Sequence, residues 1–298
     1  MSMENNWTID EILEKEDIEE YDIPIWEMSE YQLKKRFSAE SSGRPVASRI
    51  IKNIIWQVYT WIREGKHELI LGNLRSFWYM RVKAPLGRVG LLNESTDHYR
   101  TMSKLFSELR RDYGLFQYKD FGFIDDNWEN RRIGAKNPHI IVFSEKNGFF
   151  YYLKALSTEF DVTVASLGGQ PSVLSTEYMV AHILETVSPD ETFYAYSIVD
   201  YDPSGWLIEQ NFHDLLKDLG LKEVLMETIV VPSLYTSEEI ALYRYPLSTS
   251  SSAQTINERW LKATGGLNGE LSGLEADSMP KDRLMGTLRR EMETIIAG

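Results

Sequence analysis

Three carboxylates stand where they could share a hard cation. Glu145 closes a short apolar run at 139–145, and Asp200 and Asp202 stand at the end of another at 192–201. Both runs are short and rich in β-branched and aromatic residues, and so read as β-strands. Asp200 and Asp202 are two residues apart, so in extended geometry they leave the strand on the same side. Pro203-Ser204-Gly205 then turns the chain toward a helix. Oxygen donors without histidine or cysteine suit Mg²⁺, which keeps part of its water shell while binding phosphate oxygens. Such an ion stabilises the charge of a phosphoryl-transfer transition state. An Asp-x-Asp step before Pro and Gly is also ordinary turn chemistry. Glu145, in a matching strand–helix register, is what makes the set specific.

The elements that must position these residues follow from periodicity. From residue 139, strands at 139–145, 161–166, 192–201 and 222–231 alternate with helices at 147–160, 172–187 and 204–219. That alternation predicts a mostly parallel sheet covered on both faces, with functional groups at the carboxyl ends of its strands. A polar loop at 248–254 and a last helix at 280–296 complete this part. Upstream, Ile50, Ile51, Ile54, Ile55, Val58, Trp61 and Ile62 recur at helical spacing. Pro45 is placed to open that helix and Gly65 to close it. A short helix at 73–79, strands or wing loops near 82–92 and 114–124, and a helix at 99–113 follow. Helix, turn, helix and β wing make the winged-helix plan. Residues 1–40 read as an acidic extension with an amphipathic piece around Ile12, Leu13, Ile18 and Tyr21. The expected fold class is α/β (α+β overall): an extension at 1–40, a winged-helix domain at 41–136, and an α/β domain at 137–298.

Composition bounds the chemistry further. A chain of 298 residues suits two domains of ordinary size. Cysteine is absent, which excludes disulfides and thiolate metal sites. The five histidines lack the paired spacing of a zinc site. No apolar run approaches the ~20 residues of a membrane helix. The opening Met1-Ser2-Met3-Glu4-Asn5-Asn6 lacks the basic and apolar regions of a leader, so the expected location is the cytoplasm. A net charge of −13 opposes simple electrostatic attraction to DNA, but it is unevenly spread. Asp10, Glu11, Glu14, Glu16, Asp17, Glu19 and Glu20 crowd the start. Between Arg75 and Lys136 lie Arg81, Lys83, Arg88, Arg100, Lys104, Arg110, Arg111, Arg131 and Arg132, partly offset by Glu108, Asp112, Asp125 and Asp126. A solvated, salt-laced surface would give the same pattern.

Ser144-Glu145-Lys146, Leu167-Gly168-Gly169-Gln170-Pro171-Ser172 and Val199-Asp200-Tyr201-Asp202-Pro203-Ser204-Gly205 resemble the TOPRIM domain of the topoisomerase VI A-subunit family. That family includes the meiotic double-strand-break transesterase and the orphan Mini-A proteins. Leu274-Glu275-Ala276-Asp277-Ser278-Met279-Pro280 is similar to its acidic segment before the last helix. The resemblance covers residues 44–296 in outline. It implies a type IIB topoisomerase-like activity, with a winged helix carrying a nucleophilic tyrosine four residues after an arginine. Arg75 and Tyr79 match that motif in Arg75-Ser76-Phe77-Trp78-Tyr79, and on a helix they share a face. Aromatic residues at a helix end also commonly pack into a core. By resemblance, Tyr79 attacks a DNA phosphate to form a 5′-phosphotyrosyl link and Arg75 stabilises charge. Glu145, Asp200 and Asp202 hold Mg²⁺, and Arg81, Lys83 and Lys146 meet double-stranded DNA. The resemblance also implies a homodimer, each site joining the tyrosine of one protomer to the metal site of the other, and location at the nucleoid. No ATPase portion is read in the chain, so strand passage would need a separate B-type subunit. The chain departs from the family at Gly168, where a lysine is usual, and the wing region and residues 1–40 match poorly. Two other readings stand beside this one: a TOPRIM nuclease that hydrolyses DNA with metal-activated water, and a non-catalytic DNA-binding or partner-regulating module.

Overall fold

A computed structural model describes residues 7–92, 96–125 and 127–297. The opening residues Met1 to Asn6 and Asp126, both weighed above, lie outside the described residues. The chain divides into two compact units, residues 1–126 and 127–298.

Unit 1 has, among its described residues, only helices as its regular elements. It contains α1 (Ile9–Lys15), α2 (Glu30–Phe37), α3 (Ala47–Arg63), α4 (Leu74–Phe77), α5 (Lys83–Arg88) and α6 (His98–Arg111). The apolar stripe of α3 is buried at Ile50, Ile51, Ile54, Ile55 and Val58, as helical spacing requires. Pro45 does not open this helix: it bridges Ser38, and Val46 takes the N-cap position. Gly65 does stand just past the end of α3, with the positive φ of +72° that suits glycine after a helix.

Residues 1–40 were expected as an extension, yet the structure builds their described part into unit 1. α1 and α2 each begin with a capping box, Thr8 with Glu11 and Ser29 with Gln32. Ile12, Ile18, Tyr21, Ile25, Met28, Leu33 and Phe37 are all buried. Two amides on α3 clasp the segment between α1 and α2. Asn53 accepts from the Glu19 N–H at 2.8 Å and donates to the Asp17 carbonyl at 2.8 Å. Gln57 accepts from the Ile25 N–H at 2.9 Å and donates to the carbonyls of Tyr21 and Ile23 at 2.9 and 2.8 Å. Burial of a large apolar side chain contributes about 1.5–3 kcal/mol, so seven of them rival the whole net stability of a domain, about 5–15 kcal/mol. Deleting residues 1–40 is therefore expected to abolish the cooperative unfolding of unit 1. A cooperative melt of the truncated chain by circular dichroism would show instead that the segment is detachable.

The β wing expected at 82–92 and 114–124 is absent from the described residues, and unit 1 contains no strand there. Val82, Leu86 and Val89 are buried at helical spacing, which continues the helix through α5. Between α4 and α5 the helix widens into a π turn over Trp78–Val82. In the second stretch Leu115, Phe116, Tyr118, Phe121 and Phe123 are buried. The four aromatic residues among them commit their rings to a cluster with Phe77 and Phe106, where Phe77 and Phe106 meet edge-on at 5.0 Å.

Unit 2 is the predicted alternation. Its strands are β1 (Arg131–Arg132), β2 (Asn137–Ser144), β3 (Val162–Ser166), β4 (Thr192–Ile198) and β5 (Glu223–Thr228), interleaved with α7 (Phe150–Phe160), α8 (Val173–Ile183) and α9 (Pro203–Asp218). The five form one sheet in the order β1-β3-β2-β4-β5, parallel except for β1. After β5 come α10 (Ser237–Tyr243), β6 (Tyr245–Pro246), α11 (Ser251–Thr264), β7 (Ser272–Gly273) and α12 (Lys281–Ala297), with β6 and β7 paired in a small antiparallel ribbon. Alternate residues of the central strands feed two cores. Ile140 and Val142 pack with Leu153 and Leu156 of α7 and Leu288 and Met292 of α12. Ile141 and Phe143 pack with Met179 and Ile183 of α8 and Phe212 and Leu216 of α9. Burial on both faces is what a parallel sheet needs. The polar stretch at 248–254 was expected as a loop, but α11 begins within it, at Ser251, and is anchored by buried Asn257 and Trp260. Among the described residues no helix is long and apolar enough to cross a membrane.

Candidate functional site

From β2 the chain moves to β3 on one side, then returns to β4 on the other. Such a reversal opens a crevice at the carboxyl ends of the two central strands, the usual ligand position in an open α/β sheet. Glu145 follows β2, and its N–H donates to the Ile198 carbonyl at the end of β4 at 3.1 Å. Asp200 and Asp202 follow β4. The Leu167 and Gly169 N–H groups donate to the carbonyls of Ser144 and Glu145 at 2.9 and 3.1 Å, laying the glycine-rich loop beside the end of β2. The site is also lined from far along the chain. Tyr201 and Leu274 exchange two backbone hydrogen bonds, at 2.8 and 3.1 Å, which brings residues 274–277 against the Asp-Tyr-Asp turn.

Each carboxylate is held differently. Asp200 Oδ1 accepts from the Ala276 N–H at 2.8 Å and from the Lys146 ammonium at 2.9 Å. Asp202 caps α9, its Oδ1 accepting from the Gly205 N–H at 2.7 Å, while its Oδ2 accepts from the Tyr245 hydroxyl at 2.6 Å. Glu145 Oε2 is shielded from solvent and meets no hydrogen-bond donor. Burial, reinforced by the negative charges of Asp200 and Asp202, pushes the Glu145 carboxyl above its ordinary range, with Lys146 opposing. Burial, then the bond to Asp202, raises the Tyr245 hydroxyl strongly, so it stays protonated as a donor. Lys146 also pairs with Asp277 at 3.3 Å. Its burial works against the charged form, but the two carboxylates outweigh this and hold its proton more firmly than in free lysine.

Among the described residues no three Asp, Glu, His or Cys side chains gather as a ready-made metal cage. Mg²⁺ does not require one, since it is often held by one or two carboxylates and several waters. The hard-oxygen donor set and the unsatisfied Glu145 oxygen fit such an ion, with Glu145 and Asp200 as the best-placed donors and Asp202 already engaged by Gly205 and Tyr245.

The residues expected at the tyrosine form a separate group in unit 1. Tyr79 lies in the π turn and is 57% exposed, with the Lys83 ammonium 4.9 Å from its ring centroid. π turns within helices often mark functional positions. The Arg75 guanidinium lies over the Tyr99 ring, 5.2 Å from its centroid, and buried Trp78 meets Tyr99 edge-on. Arg81 is tied into the fold: its Nε and Nη2 lie 3.0 and 2.8 Å from His67 Nε2, and its guanidinium covers Trp26 at 4.9 Å. The structure thus brings Glu145, Lys146, Asp200 and Asp202 together and adds Tyr245, the Ala276 N–H and Asp277. Tyr245 sits in a two-residue strand that leaves no periodicity to detect, whereas Asp277 was visible in the acidic segment at 274–280. No protein-family model matches the chain, and no curated protein matches it.

Two expectations arise from this geometry. Asp202→Ala removes a helix cap and strands the Tyr245 hydroxyl, and should cost about 0.5–2 kcal/mol for the cap alone. Asp202→Asn keeps the capping oxygen and should cost less. Urea unfolding separates them, and equal midpoints for Asp202→Ala and the parent would show the cap to be idle. The second concerns pH. A carboxyl whose folded pKa lies above its unfolded one binds its proton more tightly in the native state, so its ionisation opposes folding once pH exceeds the unfolded value. In chelator, Glu145→Gln should therefore raise the melting temperature at pH 7, and the gain should shrink as pH falls toward the ordinary value of 4.5. A lower melting temperature at pH 7 would contradict this.

Proposed function

We propose that this chain is a Mg²⁺-assisted, DNA-cleaving transesterase of the topoisomerase VI A type. Unit 2 is its TOPRIM domain, and unit 1 is the counterpart of the winged-helix part that presents the tyrosine, with no strand among the described residues of the two stretches expected to form a wing. The observation that carries the reading is the pairing of Glu145 with Asp200 at the crevice between β2 and β4, with one Glu145 oxygen buried and unsatisfied. Tyr79 supports it by being open to solvent, with a cation beside its ring.

In this reading the Tyr79 oxygen bonds to a backbone phosphorus, the 3′ oxygen leaves, and the enzyme remains on the 5′ end. The Lys83 ammonium beside the ring is placed to meet the charge of the phosphate. Glu145 and Asp200 would hold Mg²⁺, which when bound neutralises charge on the phosphate. Asp202 and Tyr245 keep the turn after β4 in place. The partners are double-stranded DNA, a second copy of this chain supplying the complementary half of each site, and a B-type ATPase subunit where strand passage occurs. The nucleoid is the matching location.

One observation favours a hydrolytic nuclease instead: the Arg75 guanidinium covers Tyr99 and so lends itself less readily to the Tyr79 reaction. Incubation with supercoiled plasmid and Mg²⁺, then denaturation with and without protease, distinguishes the readings. Protein-linked DNA ends are expected. Protein-free breaks would establish hydrolysis, and uncut plasmid under all conditions would leave a binding module.

A further inference from the structure

Lys146 stands against Asp200, one of the two carboxylates that would hold a divalent cation. Its Nζ lies 2.9 Å from Asp200 Oδ1 and 3.3 Å from Asp277 Oδ2, and its side chain is 31% exposed. Asp277 is itself anchored by Lys281 at 3.3 Å, and the Lys281 ammonium rests over the Phe149 ring, 3.9 Å from its centroid. The result is an alternating chain of charge: Asp200, Lys146, Asp277, Lys281. We propose that Lys146 is a tethered counter-ion that competes with the divalent metal for Asp200, and that Asp277 is the acceptor that keeps the ammonium once metal displaces it. The inference rests on the reading of Glu145 and Asp200 as Mg²⁺ donors.

The geometry gives this competition its form. The ammonium neutralises Asp200 but leaves Glu145 Oε2 without a partner. A dication serves both carboxylates, and so has the stronger claim once enough of it is present. An ammonium and a dication at the same oxygen repel each other, so one must withdraw. Lys146 directly follows Glu145 in the chain, so its backbone stays and only its flexible four-carbon stem moves. Asp277, already in contact, spares the displaced ammonium from being left unpaired. Lysine suits this role because it is a point charge with rotatable donors and lacks the rigid fork of arginine.

The test is Mg²⁺ binding by isothermal titration calorimetry on the full chain, with Mn²⁺ binding by electron paramagnetic resonance as a second readout. The proteins are the parent, Lys146→Met, Lys281→Met and Asp200→Asn. Lys146→Met is expected to bind Mg²⁺ roughly tenfold more tightly. Lys281→Met removes the same charge from the same network without touching Asp200, and should stay within about twofold of the parent. Equal tightening in both lysine variants would reduce the effect to general charge and overturn the proposal. Unchanged or weaker binding by Lys146→Met, with parental binding abolished by Asp200→Asn, would overturn the competition alone. Absence of Mg²⁺ and Mn²⁺ binding in every protein would overturn the metal reading with it. A circular dichroism melt in chelator checks each fold. Lys146→Gln, which keeps a polar head, is expected to tighten binding as Lys146→Met does and replaces it should Lys146→Met fail to fold.

Discussion

Tyr79→Phe protein is expected to bind duplex DNA and Mg²⁺ as the parent does and to leave no protein-linked DNA ends. The residue is 57% exposed in the π turn, and its hydroxyl is the only group the change removes. The ring keeps its place against the Lys83 ammonium, so packing and stability should hold. With Tyr79 as the proposed nucleophile, the change removes the bond-forming atom itself, and adduct formation should fall by roughly 10³-fold or more. Arg75→Ala should be milder, since an arginine stabilises charge and forms no bond, and this one is also engaged with Tyr99. Plasmid cleavage scored with and without protease reads both variants. Full cutting by Tyr79→Phe, with products free of protein, would move the mechanism to metal-dependent hydrolysis.

Gly205→Ala is expected to damage both stability and the proposed Mg²⁺ site from a position outside its donor set. A Cβ there would lie 2.1 Å from the Asp200 carbonyl oxygen and 3.0 Å from the Asp200 nitrogen and carbonyl carbon. All three are backbone atoms, so no side chain can step aside. The Gly205 N–H also donates to Asp202, so a shift of the first turn of α9 moves both aspartates. Forced overpacking of this kind costs about 1–3 kcal/mol, occasionally more. Urea unfolding should show that loss, and calorimetry should show weakened Mg²⁺ binding in the same protein. Gly148→Ala is the companion control, because a Cβ there meets nothing within 4 Å. Equal stability and metal affinity in the two variants would mean that the turn after β4 relaxes freely.

Unit 2 was legible because its signals are local and repeated. The three central strands are buried and each is followed by a helix, which leaves continuous apolar runs, and the turn at 202–205 carries its own punctuation in Asp, Pro and Gly. The placement of Glu145 and Asp200 follows from that reading. The partners that hold Asp200 and Asp202 do not: Tyr245 and the Ala276 N–H come from segments 43 and 76 residues distant, and no periodicity reports such contacts. Unit 1 was harder for a different reason. Val82, Leu86 and Val89 carry helical spacing, but the Pro and Gly around them suggest turns. The residues at 115–123 are rich in aromatics, as strands are, although packing of their rings decides their course. The α11 helix was hidden by serines that favour caps and loops alike.

The amide clasp on α3 bears on how the protein is made. Gln57 reaches back to Tyr21 across 36 residues, and Asn53 to Asp17 across the same distance. During synthesis at about 5–20 residues per second, the segment at 17–25 leaves the ribosome some 2–7 s before the side chains that will hold it. Through that interval its isoleucines and Tyr21 travel beside a dense run of glutamate and aspartate, which repel other nascent chains and keep the waiting segment in solution.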